Sequence, residues 1–196
     1  MMEGPEEILT FWLDEVGPEG WYKSDADLDA QVRARFQETW EEAMEGRFAL
    51  WLTYPSGALA YIVLTDQFPR NMFRGTARAF ASDRIALAAA KQAVHRGWDL
   101  RIDEPARQFF YMPMMHSENL CDQDRCVRLM KERMEGGADN LLHAKAHREV
   151  IRSFGRFPFR NAALSRKPTA GEIAYVEGGG YGRTVRELQD GVAATA

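Results

Sequence analysis

The sequence predicts an all-α protein built from stacked antiparallel helical hairpins. Three observations carry that expectation. Apolar residues recur at helical spacing along almost all of the 196 residues. Helix-starting and helix-stopping residues punctuate those runs at regular intervals. Three prolines, Pro69, Pro113 and Pro158, stand 44 and 45 residues apart, each at the end of a helix-like run.

Pro5, with Glu6 and Glu7 behind it, suits the first turn of a short helix whose apolar side is Ile8, Phe11 and Trp12. Gly17-Pro18 is expected to end it. Ser24 or Asp25 caps a second, long helix to Glu45, with Leu28, Val32, Phe36, Trp40 and Ala43 on one side. Pro55-Ser56 opens a third. Its segment from Ala58 to Leu64 is apolar all round, which predicts burial on every side. Pro69 disfavours helical geometry at Phe68 and is expected to close it. Ser82 is expected to cap a fourth helix, which runs to Gly97. Asp103 and Pro105 open a fifth, closed by Pro113. The sixth runs from Asn119 to Glu135. The seventh runs from Asn140 to Arg156 and is closed by Pro158. Thr169, with Glu172 three residues on, predicts a capping box for an eighth.

Helices two and three, four and five, and six and seven thus form three successive pairs. A period near 44 exceeds the roughly 34 residues of tetratricopeptide units and falls near the roughly 40–47 of HEAT or armadillo units. The expected organisation is one helical-repeat domain over 1–177. A Gly-rich flexible joint and a short polar tail over 178–196 follow it.

Composition narrows the function classes. Hydrophobic residues make up 45% of the chain, enough for a packed interior. Net charge is −4, and no Lys/Arg run occurs, which argues against nucleic-acid or anionic-membrane partners. The two cysteines, Cys121 and Cys126, are five residues apart and poorly placed to bridge each other, as suits a reducing cytoplasm. The first fourteen residues carry acid where a signal peptide needs base, and no apolar stretch is long enough to span a bilayer.

The proline corners gather the most polar chemistry. The first carries Asp66, Arg70, Asn71 and Arg74. The second carries His116, Ser117 and Glu118. The third carries Arg156, Arg160 and Asn161. Stacked in register, they would place a cationic edge on an acidic protein, and guanidinium groups grip carboxylate or phosphate with two prongs. The same arginines could instead satisfy helix C-terminal carbonyls, and Asp66 could pair with Arg70 or Arg74 to tie down a loop. His116 could shuttle a proton with Glu118 as its partner, whereas Ser117 or Asn119 could simply cap the sixth helix. His143 and His147, four apart, share a helix face. The zinc-protease pattern needs Glu after the first histidine, and Ala144 stands there, so no metal is expected and His147 reads as a hydrogen-bonded, partly buried group. No cofactor motif is found. Gly178 to Thr184 lacks the ending of a phosphate loop, and Phe109, Phe110 and Tyr111 read as packing.

Three long motifs resemble one family. Asp66-Gln67-Phe68-Pro69-Arg70-Asn71-Met72-Phe73-Arg74-Gly75-Thr76, with Ala79-Phe80-Ala81 and Asp83, is similar to the first signature of the mainly bacterial domain of unknown function numbered nine-two-four. Phe109 to Pro113 with His116-Ser117-Glu118 resembles its second signature. His147 through Gly155-Arg156-Phe157-Pro158 and Arg160-Asn161 resembles its third. The likeness runs from Ile8 to Glu177. Phe159, Ser165 and Pro168 depart from the pattern, standing where His, Gly and Ser are frequent. The resemblance implies an all-helical, tetratricopeptide-like fold and no established biochemical role.

The function expected from the residues is binding of an anionic small molecule or acidic peptide end by Asp66, Arg70, Asn71, Arg74, His116, Ser117, His147, Arg156, Arg160 and Asn161. A hydrolase or transferase using His116 and Glu118 on an anionic substrate stands as the alternative, and a protein-interaction scaffold as a third. Oligomeric state is not legible.

Overall fold

Pro69 does not end its helix. In the computed structural model, which describes residues 3–193, the third helix of the sequence reading runs on through the proline. It starts as α4 (Pro55–Ile62), widens into a π-helical turn at Val63–Gln67 and continues as α5 (Phe68–Met72). A proline ring crowds the carbonyl four residues back and brings no N–H to meet it. The wider turn makes room for the ring. The carbonyl in question, Thr65 O, accepts instead from the Ser82 hydroxyl at 2.5 Å, and Ser82 Oγ accepts from Trp40 Nε1 at 2.9 Å. Ser82 precedes α6 (Asp83–His95), but its side chain makes no capping bond there. The expected cap is thus corrected: the hydroxyl serves the carbonyl that Pro69 leaves open.

These elements belong to the first of two compact units, Met1–Pro113 and Met114–Ala196. Its opening helix, α1 (Pro5–Leu9), passes through a π-helical turn at Thr10–Val16 into α2 (Gly17–Gly20). Gly17-Pro18 therefore begins a further turn instead of a loop, because proline in a first turn forfeits no bond. Asp25 caps α3 (Ala26–Met44), accepting from Asp27 N at 2.9 Å and Leu28 N at 3.1 Å. The stripe Val32, Phe36, Trp40 and Ala43 is buried as its spacing predicts. Phe68 lies at the centre of the aromatic core, with ring centroids 4.6 Å from Phe36, 5.4 Å from Trp12 and 6.0 Å from Phe11.

The expected fifth helix is absent. Ala106–Phe110 is a 3-10 turn, followed by the four-residue α7 (Met112–Met115), with Pro113 in its first turn. Tertiary bonds override helical spacing here: Tyr111 donates to the buried carboxylate of Asp99 at 2.7 Å, and Arg107 Nε donates to Ile102 O at 2.9 Å. The middle pair of the sequence reading is therefore one helix and a tight turn.

In the second unit, α8 (Leu120–Arg133) and α9 (Ala138–Phe154) pack as a helical hairpin. Asn119 caps α8, accepting from Cys121 N at 2.9 Å. Gly155, left-handed at φ 69°, ends α9, a conformation that glycine adopts without a Cβ clash. Pro158 comes later and opens the 3-10 turn Pro158–Arg160. The capping box of Thr169 and Glu172 starts α10 (Ala170–Glu177) as expected. The Gly-rich segment is not a flexible joint. Gly178 and Gly179 make a turn, with Gly179 at φ 102°, and α11 (Gly180–Ala193) packs on α9. Residues 194–196 of the expected tail lie outside the described residues. Val150, Ile151, Phe157 and Tyr175 form the core of this unit, with Phe154 and Tyr181 packed on it.

Candidate functional site

The expected site residues divide between the units. In the first, arginine chemistry is engaged locally. Arg70 pairs with Asp83 at 2.9 Å and with the fully buried Asp66 at 3.4 Å. Gln67 Nε2 donates to the other Asp66 oxygen at 2.6 Å. Asn71 and Arg74 both converge on Asp29: Asn71 Nδ2 at 2.8 Å, Arg74 Nε and Nη2 each at 2.8 Å. Burial opposes the Asp29 charge, yet the Arg74 and Asn71 bonds outweigh it and hold its pKa below the ordinary carboxylate value. These bonds fasten α5 and the turn after it to α3.

In the second unit, Glu118 carries the third corner. Its carboxylate takes a two-pronged grip from Arg166, Nη1 at 2.7 Å and Nη2 at 3.0 Å, and accepts from Phe157 N at 2.8 Å. Burial again works against the charge. Arg166, the Phe157 N–H and the positive field of Arg160 prevail, and the Glu118 pKa is lowered. Arg166 also donates to Phe157 O at 3.0 Å and to Asn161 Oδ1 at 2.9 Å. Arg156 grips Glu172 at 2.5 and 2.8 Å, and that bond, with the Thr169 N–H, keeps Glu172 ionised well below its usual range. Ser117 donates to Asp122 at 3.0 Å and accepts from Asn119 N at 3.2 Å. So Glu118, Arg156, Asn161 and Ser117 build the corner.

What the corner presents is a nitrogen-rich chain of side chains that starts on one ring, Phe157. Phe157 is fully buried and clamped at both its N–H and its C=O. Arg160 lays its guanidinium 4.5 Å over that ring. His147 meets the ring edge-on at 5.5 Å, and His116 lies 6.3 Å from His147. Behind His147 stands Tyr181 of α11, whose hydroxyl is 3.1 Å from His147 Nδ1 and 2.7 Å from His143 Nδ1. His147 Nδ1 also lies 2.8 Å from the His143 carbonyl, an acceptor, which fixes the proton on Nδ1. Burial, and then the positive field of His116, lowers the His147 pKa to about 3, with Arg160 and His143 adding to it, so the ring is neutral.

Among the described residues, no group of three or more His, Cys, Asp or Glu side chains is placed to hold a metal ion. His143 and His147 share the face expected of them, and both meet Tyr181. Sequence reasoning missed Asp29, Asp83, Arg166 and Tyr181. Tyr181 had a visible signal: Tyr181, Val185 and Leu188 recur at helical spacing beyond the glycines. Asp29 and Arg166 had none, being one charge among many until the fold supplies the partner.

Fold and site together define an all-α protein with a histidine- and arginine-rich corner. It belongs to the bacterial protein family of unknown function DUF924, whose model matches residues 8–180. Among solved structures it is similar to a protein of unknown function from Agrobacterium tumefaciens. The two are 38% identical, the match covers 88% of this chain and 96% of that one, and the TM-score is 0.83. No curated protein matches the sequence. Among the described residues, no helix is long and apolar enough to cross a membrane.

Proposed function

We propose that the protein binds a small acidic molecule, or the acidic end of a peptide, at the His116, His147 and Arg160 cluster of its second unit. One observation carries the reading: Arg160 lies over the immobilised ring of Phe157, His147 meets that ring edge-on, and His116 stands beside His147. Arg160 supplies a permanent charge, and an imidazole that carries a proton on the facing nitrogen supplies a directional donor. The corner is prebuilt by Glu118 and Arg166, so little ordering is needed on binding. Arg156 and Asn161 hold the frame, and Asp66, Arg70, Asn71 and Arg74 tie α5 and the turn after it within the first unit. A cytoplasmic setting fits the two free thiols, Cys121 and Cys126.

The anion-binding reading is preferred over a hydrolase or transferase using His116 and Glu118. A proton carrier must exchange its proton near neutral pH. Glu118 is locked in its ionised form by Arg166 and Phe157 N.

Isothermal titration of sulfate, phosphate, citrate and a peptide ending in acidic residues tests this. At least one should bind the wild type saturably, and Arg160→Gln should weaken it by about 10–100-fold, the cost of one charge-assisted bond. Equal affinity in both proteins, or no saturable binding of any probe, would overturn the proposal.

A further inference from the structure

We infer that this cluster takes up its anion together with one proton, captured at Nε2 of His147. The inference rests on the anion-binding reading above and specifies its chemistry. The His143 carbonyl holds the ring proton at Nδ1, 2.8 Å away. The Tyr181 oxygen stands on the same edge at 3.1 Å and also lies 2.7 Å from His143 Nδ1. Both bonds therefore occupy one edge of the His147 ring. The opposite edge, Nε2, carries a lone pair in the neutral tautomer.

A lone pair repels an anion. For Nε2 to join an anion-binding cluster it must gain a proton, drawn from solvent, giving an imidazolium that donates from Nε2. No other bond is made or broken. Without an anion that step is opposed by burial and by the positive fields of His116, Arg160 and His143, and these outweigh the His143 carbonyl bond, which favours it. The groups that face the ring are His143 from α9, Tyr181 from α11, His116 from the turn after α7, and Arg160 over Phe157 from the Pro158–Arg160 turn. The ring is half-buried between Phe157 and Tyr181, whose centroids lie 5.5 and 4.7 Å away. An anion among these groups reverses the balance, because an opposite charge favours the protonated form. Anion and proton then bind as a pair, each raising the other's affinity.

The test uses the full chain and sulfate, which stays ionised throughout the range. Titrations at pH 5.5 in piperazine and in bis-tris buffers, whose ionisation enthalpies differ, count the protons taken up per sulfate. About one is expected, and affinity should fall about tenfold per pH unit as pH rises. His147→Gln should abolish the uptake, whereas His116→Gln should retain it. Ring NMR of the unmutated protein gives the same reading without substitution: His147 should become doubly protonated only when sulfate is added. Saturable sulfate binding without proton uptake overturns this inference and leaves the binding proposal standing. Uptake that survives His147→Gln and vanishes in His116→Gln overturns the assignment to His147. Absence of saturable binding overturns both.

Discussion

Two Phe-Pro corners in this chain carry nearly the same letters, Phe68-Pro69-Arg70-Asn71 and Phe157-Pro158-Phe159-Arg160-Asn161. The fold uses them in different ways. At the first, the helix absorbs its proline through a π-helical turn, and Arg70 is engaged by Asp66 and Asp83. At the second, Gly155 has already ended the helix, Pro158 opens a separate turn, and Arg160 rests on an aromatic ring beside two histidines. The difference is set by neighbours. Asp66 precedes the first corner on the same helix and meets Arg70 one turn on, while the carboxylates around the second corner, Glu118 and Glu172, are gripped by Arg166 and Arg156. A repeated motif therefore shares its letters but not its backbone role, and the neighbours each corner meets decide what its residues do.

The largest expected effect compares the two ring pivots. Phe68→Ala and Phe157→Ala each remove a fully buried ring and should each cost about 3–5 kcal/mol in urea unfolding. Only Phe157→Ala should also lose anion binding, checked under conditions where both variants remain folded. All five tryptophans lie between residues 12 and 98, so their fluorescence reports the first unit, while ring signals of His116, His143 and His147 report the second. Equal loss of anion affinity in both variants would erase the contrast between the corners.

Next comes the clamp. Glu118→Gln removes the charge that holds Arg166 and weakens the bond to Phe157 N. About 2 kcal/mol should be lost at neutral pH, less than for a fully buried pair because both side chains keep some solvent contact. The pH sign follows from the lowered pKa. Glu118 contributes fully above its ordinary value of 4.5, and the contribution disappears as pH falls through the lower folded value. Urea midpoints followed from pH 7 to pH 3 should fall less steeply in the variant. An unchanged slope would mean that the pair does not stabilise the corner.

The smallest effect is at the first corner. Ser82→Ala leaves Thr65 O and Trp40 Nε1 without their shared hydroxyl and should cost about 1–2 kcal/mol, with a shifted tryptophan emission. The double variant with Pro69→Ala should recover part of that loss, because alanine returns an N–H to the Thr65 carbonyl. No recovery would show that the hydroxyl is not answering the proline.

Sequence alone reveals the all-α class, because the apolar spacing of α3, α8 and α9 is long and regular, and the caps at Asp25, Asn119 and Thr169 stand where their chemistry places them. It misleads wherever a tertiary partner overrides a local rule. Ser82 looks like a cap and is claimed by Thr65 O, Pro69 looks like a stop and is absorbed by a widened turn, and Ala106–Phe110 is held by Tyr111 on Asp99 instead of coiling as a helix. The glycines before Tyr181 look like a hinge, yet the positive φ values of Gly179 and Gly180 make a tight turn that delivers α11 to the histidines. For the site, the polar types at each corner are visible in the sequence. Which of them are taken up in local pairs depends on Asp29, Glu172 and Arg166, whose partners only the fold names.

The most direct test of the central claim is anomalous diffraction from crystals of the protein soaked in selenate. The account predicts a selenium peak among His116, His147 and Arg160, within hydrogen-bond distance of all three and absent in Arg160→Gln crystals. Ordered density for those side chains with no peak between them, while selenate occupies other positions in the same crystal, would contradict it.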